Sequence, residues 1–336
     1  METVRWRSNP EREDATSAER SRALTRELLD WTEDEQWRRQ MPESLPDRIH
    51  FALQRSLSAG VPVRFVLPAF PTKAANPRKT SGEGLDLGDV TALFRLEQLS
   101  EHVRQLHGPG AEIVLCSDGR VFADVVGVTD AAVSVYRDDL RRALDRYALR
   151  SIRLFCLEDA YGDGEPENLR RTLVDEFAVD LASLREESER LPTRRAMIDG
   201  IHRFPVEDTV GRDPRISRSA ARRSTRELAY ETVRRSDAWS RLVAARFPEA
   251  LRLSIHPQGF GSEKVPVRLL PADDRWATPW HRSPRWDGCR LSLARREHLE
   301  AEGATRERTE DGWTYWRIGE VTPPPSPDRL AAEAFR

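Results

Sequence analysis

The apolar positions divide the chain into a polar lead-in and then a run of alternating strands and helices. Residues 1–42 are charged, with isolated Trp6, Trp31 and Trp37, and predict peripheral helices or a partly mobile arm. Pro46-Asp47 opens a helix through Leu57, because proline suits a first helical turn. Val61–Leu67 is a hydrophobic strand. Asp86 caps a helix that runs to about Leu106, with Val90, Leu93, Phe94, Leu96 and Leu99 at helical spacing, and Gly108-Pro109-Gly110 ends it. Ala111–Ser117 is a continuous apolar strand with Ser117-Asp118-Gly119-Arg120 as the turn at its end, and Val121–Val128 reads as a short strand or buried coil. Thr129-Asp130 caps a helix to about Tyr147, and Ile152–Leu157 is the next strand. Strand, helix, strand, helix, strand predicts an α/β fold with a mainly parallel sheet and right-handed crossovers.

Residues 166–190 and 215–246 are predicted helical, with Asp208–Pro214 as a polar loop between them. Residues 250–256 alternate strictly: Leu251, Leu253 and Ile255 face one side, and Arg252, Ser254 and His256 the other. Gln258–Glu263 is a turn, and Val265–Leu270 a second strand that would pair with the first as a hairpin. Trp276–Trp286 is aromatic and proline-containing, residues 290–320 look like strand, short helix and strand, and Pro323–Pro327 starts an exposed tail. No internal repeat occurs. The organisation predicted is an N-terminal arm at 1–44, a catalytic domain at 45–288 with a helical insertion at 166–248, and a C-terminal β/α extension at 289–336.

Charge and composition exclude several classes. The net charge of −2 gives no electrostatic reason to expect nucleic acid or an anionic membrane as partner. The Met1 end lacks a basic region followed by an apolar one, and no apolar run reaches membrane-spanning length, so a cytoplasmic protein is expected. Cys116, Cys156 and Cys289 are far apart, no CxxC is present and the seven histidines are scattered, so neither a zinc site nor a disulfide framework is expected. Cys116 and Cys156 lie in apolar runs and read as buried, inert thiols.

The basic residues carry more information. All but three of the 54 are arginine, and the exceptions are Lys73, Lys79 and Lys264. Arginine does not form imines or act as a base, so a lysine kept in such a chain is a candidate for chemistry or for a compact phosphate contact. Lys73 and Lys79 lie with Asn76 and Arg78 in the loop after the first strand; Ser117, Asp118, Gly119 and Arg120 follow the second. Ligands of open parallel sheets bind beyond the carboxyl ends of the strands, where both loops would project. A third cluster is Arg252, Ser254 and His256, then Lys264, then Thr278-Pro279-Trp280-His281. It reads either as a solvated sheet face or as one wall of a site, and Trp276, Trp280 and Trp286 either as core or as the wall of an aromatic pocket. Arg212, Arg215, Arg218, Arg222, Arg223 and Arg226 read as a helix face paired with Glu227 and Glu231, or else as a partner patch. No Walker loop, G-x-G-x-x-G, G-x-S-x-G or HExxH occurs.

Four segments in order, Phe70-Pro-Thr-Lys73-Ala-Ala-Asn76-Pro, Ser117-Asp118-Gly119-Arg120-Val121-Phe122-Ala123-Asp124, Arg252-Leu-Ser-Ile-His256-Pro257 and Thr278-Pro279-Trp280-His281, resemble the isocyanide (isonitrile) synthases, the pyoverdine/dityrosine biosynthesis family. Ala74 stands where family members usually carry serine. The resemblance implies a Rossmann-like α/β fold with added helical and small β parts, and a metal-free condensation without a cofactor. The α-amine of an amino acid, commonly tyrosine or tryptophan, attacks the C2 ketone of the co-substrate ribulose 5-phosphate, and the imine fragments to leave C2 as the isonitrile carbon. It also implies a downstream Fe(II)/2-oxoglutarate oxygenase as a pathway partner. On this chemistry, Lys73, Arg78 or Lys79 would hold the phosphate, and Arg252 or Arg120 the carboxylate. His256, His281 and Asp118 are the acid–base candidates, with Lys73 or Lys264 as an alternative base. The competing readings are a non-catalytic phosphosugar-binding regulator and a phosphosugar aldolase or isomerase acting through Lys73.

Overall fold

A computed structural model describes residues 16–31, 39, 41–82, 84–256, 262–272, 274 and 276–334. Trp6, Trp37 and most of the turn expected at Gln258–Glu263 lie outside the described residues. The main sheet has five parallel strands in the order β3-β2-β1-β4-β5: β1 is Val63–Leu67, β2 Ala111–Cys116, β3 Ile152–Phe155, β4 Leu251–Ser254 and β5 Val265–Pro266. This is the order of doubly wound sheets, in which the chain runs outward from a central strand and later returns to its other side.

Apolar side chains cover both faces. One face carries Phe65, Leu67, Ile113, Leu115 and Leu253. They pack beneath α1 (Ser17–Trp31), α2 (Leu45–Ala59), α3 (Leu87–Leu106) and α5 (Asp130–Arg146). The other carries Val66, Val114 and Cys116, against α4 (Gly119–Val126) and α7 (Pro166–Phe177) and against Trp239, Leu242 and Val243 of the long helix α11 (Arg226–Arg246). Between α5 and α7 the chain forms β3 and the short α6 (Leu157–Tyr161). α8 (Leu181–Arg190), α9 (Pro192–Arg212) and α10 (Arg218–Ser224) fill the stretch between α7 and α11. A second sheet, β7-β6-β9-β8, holds β6 (Ser283–Trp286), β7 (Leu291–Ala294), β8 (Thr305–Arg308) and β9 (Thr314–Arg317). α12 (Arg296–Ala301) lies between β7 and β8, and α13 (Pro327–Glu333) follows the sheet. Among the described residues no helix is long and apolar enough to cross a membrane.

Five expectations change. Val121–Val128 is neither strand nor coil: α4 starts at Gly119, because the apolar positions Val121 and Val125 are also one helical turn apart and face the core. β5 is no hairpin partner; it joins β4 in parallel, a direction that alternation alone does not encode, and its Pro266 is tolerated at the sheet edge. Asp208–Arg212 is the last turn of α9 and not a loop. Pro205 and Gly200 inside that helix, and Gly211 near its end, had masked its helical character. The tail after Pro323 is not exposed throughout, since α13 buries Leu330, Ala331 and Ala334. Glu227 pairs with Arg185, and Glu231 with Arg234 and Arg235, so neither neutralises the exposed arginines of α10.

Candidate functional site at the switch of the sheet

The strand order reverses between β1 and β4, with β2 and β3 laid down on one side and β4 and β5 on the other, and that switch point is where doubly wound sheets leave a crevice. The loops after β1, β2, β4 and β5 surround it.

The loop after β1 is fixed by its own lysines. Asp86 caps α3 through a capping box: its Oδ1 accepts from the backbone N–H groups of Gly88 (2.9 Å) and Asp89 (3.2 Å), and Asp89 Oδ2 accepts from the N–H of Asp86 (3.0 Å). Into this box the loop inserts Lys73, 4 % exposed. Its Nζ lies 2.6 Å from Asp86 Oδ2, 2.6 Å from Asp89 Oδ2 and 2.8 Å from the carbonyl oxygen of Pro279. Tyr136 donates to the other oxygen of Asp89 at 2.9 Å. Burial opposes the Lys73 charge, but the two carboxylates outweigh it and hold the amine above its ordinary range. All three of its donors are engaged.

Lys79, 1 % exposed, reaches α9 instead. Its Nζ lies 2.7 Å from Asp208 Oδ1 and 3.2 Å from Glu207 Oε2, and Arg295 also binds Glu207 at 3.1 Å. Asn76 donates to Asp208 Oδ1 (2.9 Å) and to the Glu207 carbonyl (3.3 Å). Gly211 is needed there, because a Cβ would sit 2.3 Å from the Asn76 amide oxygen. Arg78 is half-exposed and faces Glu297 at 4.0 Å. The loop proposed as a phosphate cradle thus has every cation answered by carboxylates of the protein itself.

The turn after β2 divides into two roles. Ser117 Oγ donates to the Phe70 carbonyl at 2.9 Å, and Gly119 allows the two loops to touch, since a Cβ there would meet the Pro71 carbonyl oxygen at 2.1 Å. Arg120 points away from the crevice, its donors taken by Glu158 (3.0 Å), by the carbonyl and carboxylate of Asp130 (2.7 and 3.1 Å) and by Ser134 (2.7 Å). It is therefore not available to a substrate carboxylate. Asp118 differs from its neighbours. Among the described residues no cation pairs with it, and burial pushes its carboxyl up to about 7. Cys116 beside it is pushed up to about 12 by burial first and by the Asp118 charge second, so the thiol is inert at neutral pH.

The third wall comes from β4, β5 and the turn before β6. Arg252 is partly buried; Nη2 donates to Ser240 Oγ of α11 at 2.5 Å, and its buried Nε has no acceptor among the described residues. The β4–β5 register pairs Leu253 with Val265, which sets Lys264 beside Arg252. Burial and the Arg252 charge lower the Lys264 pKa. His256 packs against Trp276 at 5.5 Å and is pushed down to about 4 by burial and by the charges of Lys264 and Arg203. His281 stacks on Phe204 of α9 at 5.5 Å and is held well below its ordinary range, by burial first and then by Lys79. Thr278 is buried, with a hydroxyl oxygen that has no hydrogen-bond partner among the described residues. Ser254 Oγ interacts with the backbone of His256 at 3.3 Å. Trp280 is core, packed on Phe70 at 5.0 Å, and Trp286 belongs to the core of the small sheet. Of the three tryptophans singled out, Trp276 stands beside His256 and Trp280 meets His281 edge-on at 6.3 Å, and Arg203 lies over both Phe204 (4.9 Å) and Trp276 (5.2 Å).

The residues that sequence reasoning missed are Asp86 and Asp89 as ligands of Lys73, and Phe204, Glu207 and Asp208 on α9. The S/T/D-x-x-D/E spacing of a capping box was present at Asp86 and Asp89, but nothing local says that a lysine will enter it. A cavity of about 20 Å³ beside Asp274 and Thr278 is far below the roughly 300–1,000 Å³ of ligand pockets. Among the described residues no three His, Cys, Asp or Glu side chains converge as a metal set.

The model of the pyoverdine/dityrosine biosynthesis proteins matches residues 53–305. The chain is 37% identical over 253 residues to an L-tryptophan isonitrile synthase of Fischerella ambigua, covering 75% of this chain and 79% of that one. It is 40% identical over 230 residues to an L-tyrosine isonitrile synthase of Pseudomonas aeruginosa, covering 67% and 70%. The crystal structure of the PvcA protein of Pseudomonas aeruginosa superposes with a TM-score of 0.78 at 34% identity, over 90% of this chain and all of that one.

Proposed function

The chain belongs to the pyoverdine/dityrosine biosynthesis protein family, and from that premise we propose that it is an isonitrile synthase. Its substrate is tyrosine or tryptophan, whose α-amino group becomes the isocyanide, and C2 of ribulose 5-phosphate supplies the isonitrile carbon. The observation that carries this reading is the 37–40% identity to proteins named as tryptophan and tyrosine isonitrile synthases. The co-substrate comes from the chemistry of the family that the four sequence motifs resemble.

The crevice offers groups that this chemistry needs. The attacking amine must be neutral, so a base must take a proton from the ammonium form. Asp118, with a carboxyl pushed up to about 7 and no cation among the described residues to hold it ionised, can give and take protons at neutral pH. Closing the imine expels water from C2, which needs a proton donor at the leaving oxygen. His256 and His281 are neutral there, and a neutral imidazole serves as hydrogen-bond donor or acceptor without adding charge. Lys73 acts as a positioning residue: it ties the β1 loop to α3 and, through Pro279, to the turn that carries His281. A charged, fully engaged amine is unsuited to imine formation, which disfavours the aldolase reading through Lys73.

The test is to incubate the purified protein with ribulose 5-phosphate and each proteinogenic amino acid in turn. A product with the isonitrile infrared stretch and the matching mass, with tyrosine or tryptophan, is the expected result. A panel in which no amino acid is consumed would remove the assignment.

A further inference from the structure

Two cations in the crevice stand apart from all the others. Lys73 and Lys79 each hold two carboxylates, and Arg78 faces Glu297. Arg252 and Lys264 have no carboxylate within 4 Å among the described residues. The register of β4 and β5 puts them side by side, and each is partly buried. Among the described residues the Arg252 Nε, out of contact with solvent, has no acceptor, and the side chain's one hydrogen bond is to the neutral hydroxyl of Ser240. Asp237, the carboxylate whose charge reaches Lys264, is already paired with Arg194. Like charges side by side on neighbouring strands destabilise a sheet, and an arginine nitrogen buried without an acceptor adds to that cost. An arrangement that is unfavourable in the free protein is what a binding site for a charged group looks like before the group arrives.

We propose that Arg252 and Lys264 form the seat for the anionic group of a substrate, a phosphate or a carboxylate, on the β4–β5 side of the crevice. The inference rests on the reading of this crevice as the site of isonitrile synthesis, and for a phosphate it moves binding away from the lysine-bearing loop after β1. The fork of Arg252 supplies Nε, directed donors suit either group, and Lys264 supplies a compact charge. Of the two anions, a phosphate dianion matches two adjacent cations in charge.

Calorimetric titration of the full chain with ribulose 5-phosphate, inorganic phosphate, L-tyrosine, L-tryptophan and tyramine tests this, in the wild type and in Arg252→Gln, Lys264→Gln and Arg252→Lys. A phosphate seat predicts at least tenfold weaker binding of the phosphosugar and phosphate in both glutamine variants, with amino-acid binding intact. A carboxylate seat predicts the same loss for tyrosine or tryptophan, with binding already weak for tyramine, which lacks the carboxylate. In either case the Tm of the glutamine variants stays level or rises, because one of two repelling charges is gone; a purely structural arginine would lower it. Arg252→Lys restores part of the affinity. Unchanged affinity for every ligand in both glutamine variants overturns the proposal. If the wild type forms no isonitrile yet anion binding still needs Arg252 and Lys264, the seat stands and the reaction assignment falls; isonitrile formation with unaltered kcat/KM in both variants gives the reverse.

Discussion

Lys73 Nζ lies 2.6 Å from a carboxylate oxygen of Asp86, the residue that caps α3. One carboxylate therefore starts the helix and anchors the loop that leads into it. Because Lys73 also binds Asp89 and the carbonyl of Pro279, three chain segments meet on one ammonium group.

Removing that ammonium leaves two buried carboxylates facing each other. Lys73→Met is expected to cost about 3–5 kcal/mol of folding stability, the usual cost of breaking a buried ion pair from one side. Denaturant unfolding measures it. A loss below about 1 kcal/mol would show that the pair is dispensable.

Asp118 is expected to set the pH dependence of turnover. Its carboxyl is raised to about 7 by burial, so it is protonated below that pH and ionised above it. If it acts as the base, kcat/KM rises as pH passes upward through about 7. Asp118→Asn then lowers kcat by about 10²–10⁴-fold, the usual share of a general base, and removes that limb of the profile. A limb that persists in the variant would assign it to another group.

His256 links pH to stability with the opposite sign to a salt-bridged histidine. Its folded pKa is depressed to about 4, below an unfolded value near 6.5. The unfolded chain binds more protons between these values, so stability is full above about 6.5 and falls as pH drops towards 4, by about 3 kcal/mol. His256→Gln flattens that slope. Unfolding free energies at pH 4.5, 5.5 and 7 check it, and equal slopes in the two proteins would contradict it.

α9 is held over the crevice mainly through polar contacts: Lys79 with Glu207 and Asp208, Asn76 with the same turn, and Phe204 on His281. Its buried apolar side chains are few, Ile198 and Val206. Lys79→Met is expected to speed amide hydrogen exchange in residues 199–212 by tenfold or more while exchange in β1 and β2 is unchanged. Uniform acceleration across the chain would mean that Lys79 supports the whole fold and not this helix in particular.

The sequence by itself determined the order of elements from β1 to β3 apart from α4, the cap of α3 at Asp86 and the strand ends that carry polar side chains. Those features are local: a period of two or of 3.6, a capping residue, a run of apolar positions. It also singled out Lys73, Lys79 and Lys264 as unusual, because lysine is rare in a chain that otherwise uses arginine. Only the tertiary structure decided what each of them does. Lys73 and Lys79 meet carboxylates 13 and 128 or more positions away, respectively, while Lys264 meets Arg252 across a strand pair. Local pattern does not encode the direction in which β5 joins the sheet, nor that Glu207 and Asp208 sit on a helix containing proline. A charge is recognised from one residue, but whether it is neutralised depends on what folding brings within a few ångströms, and that is set by packing across the whole sheet.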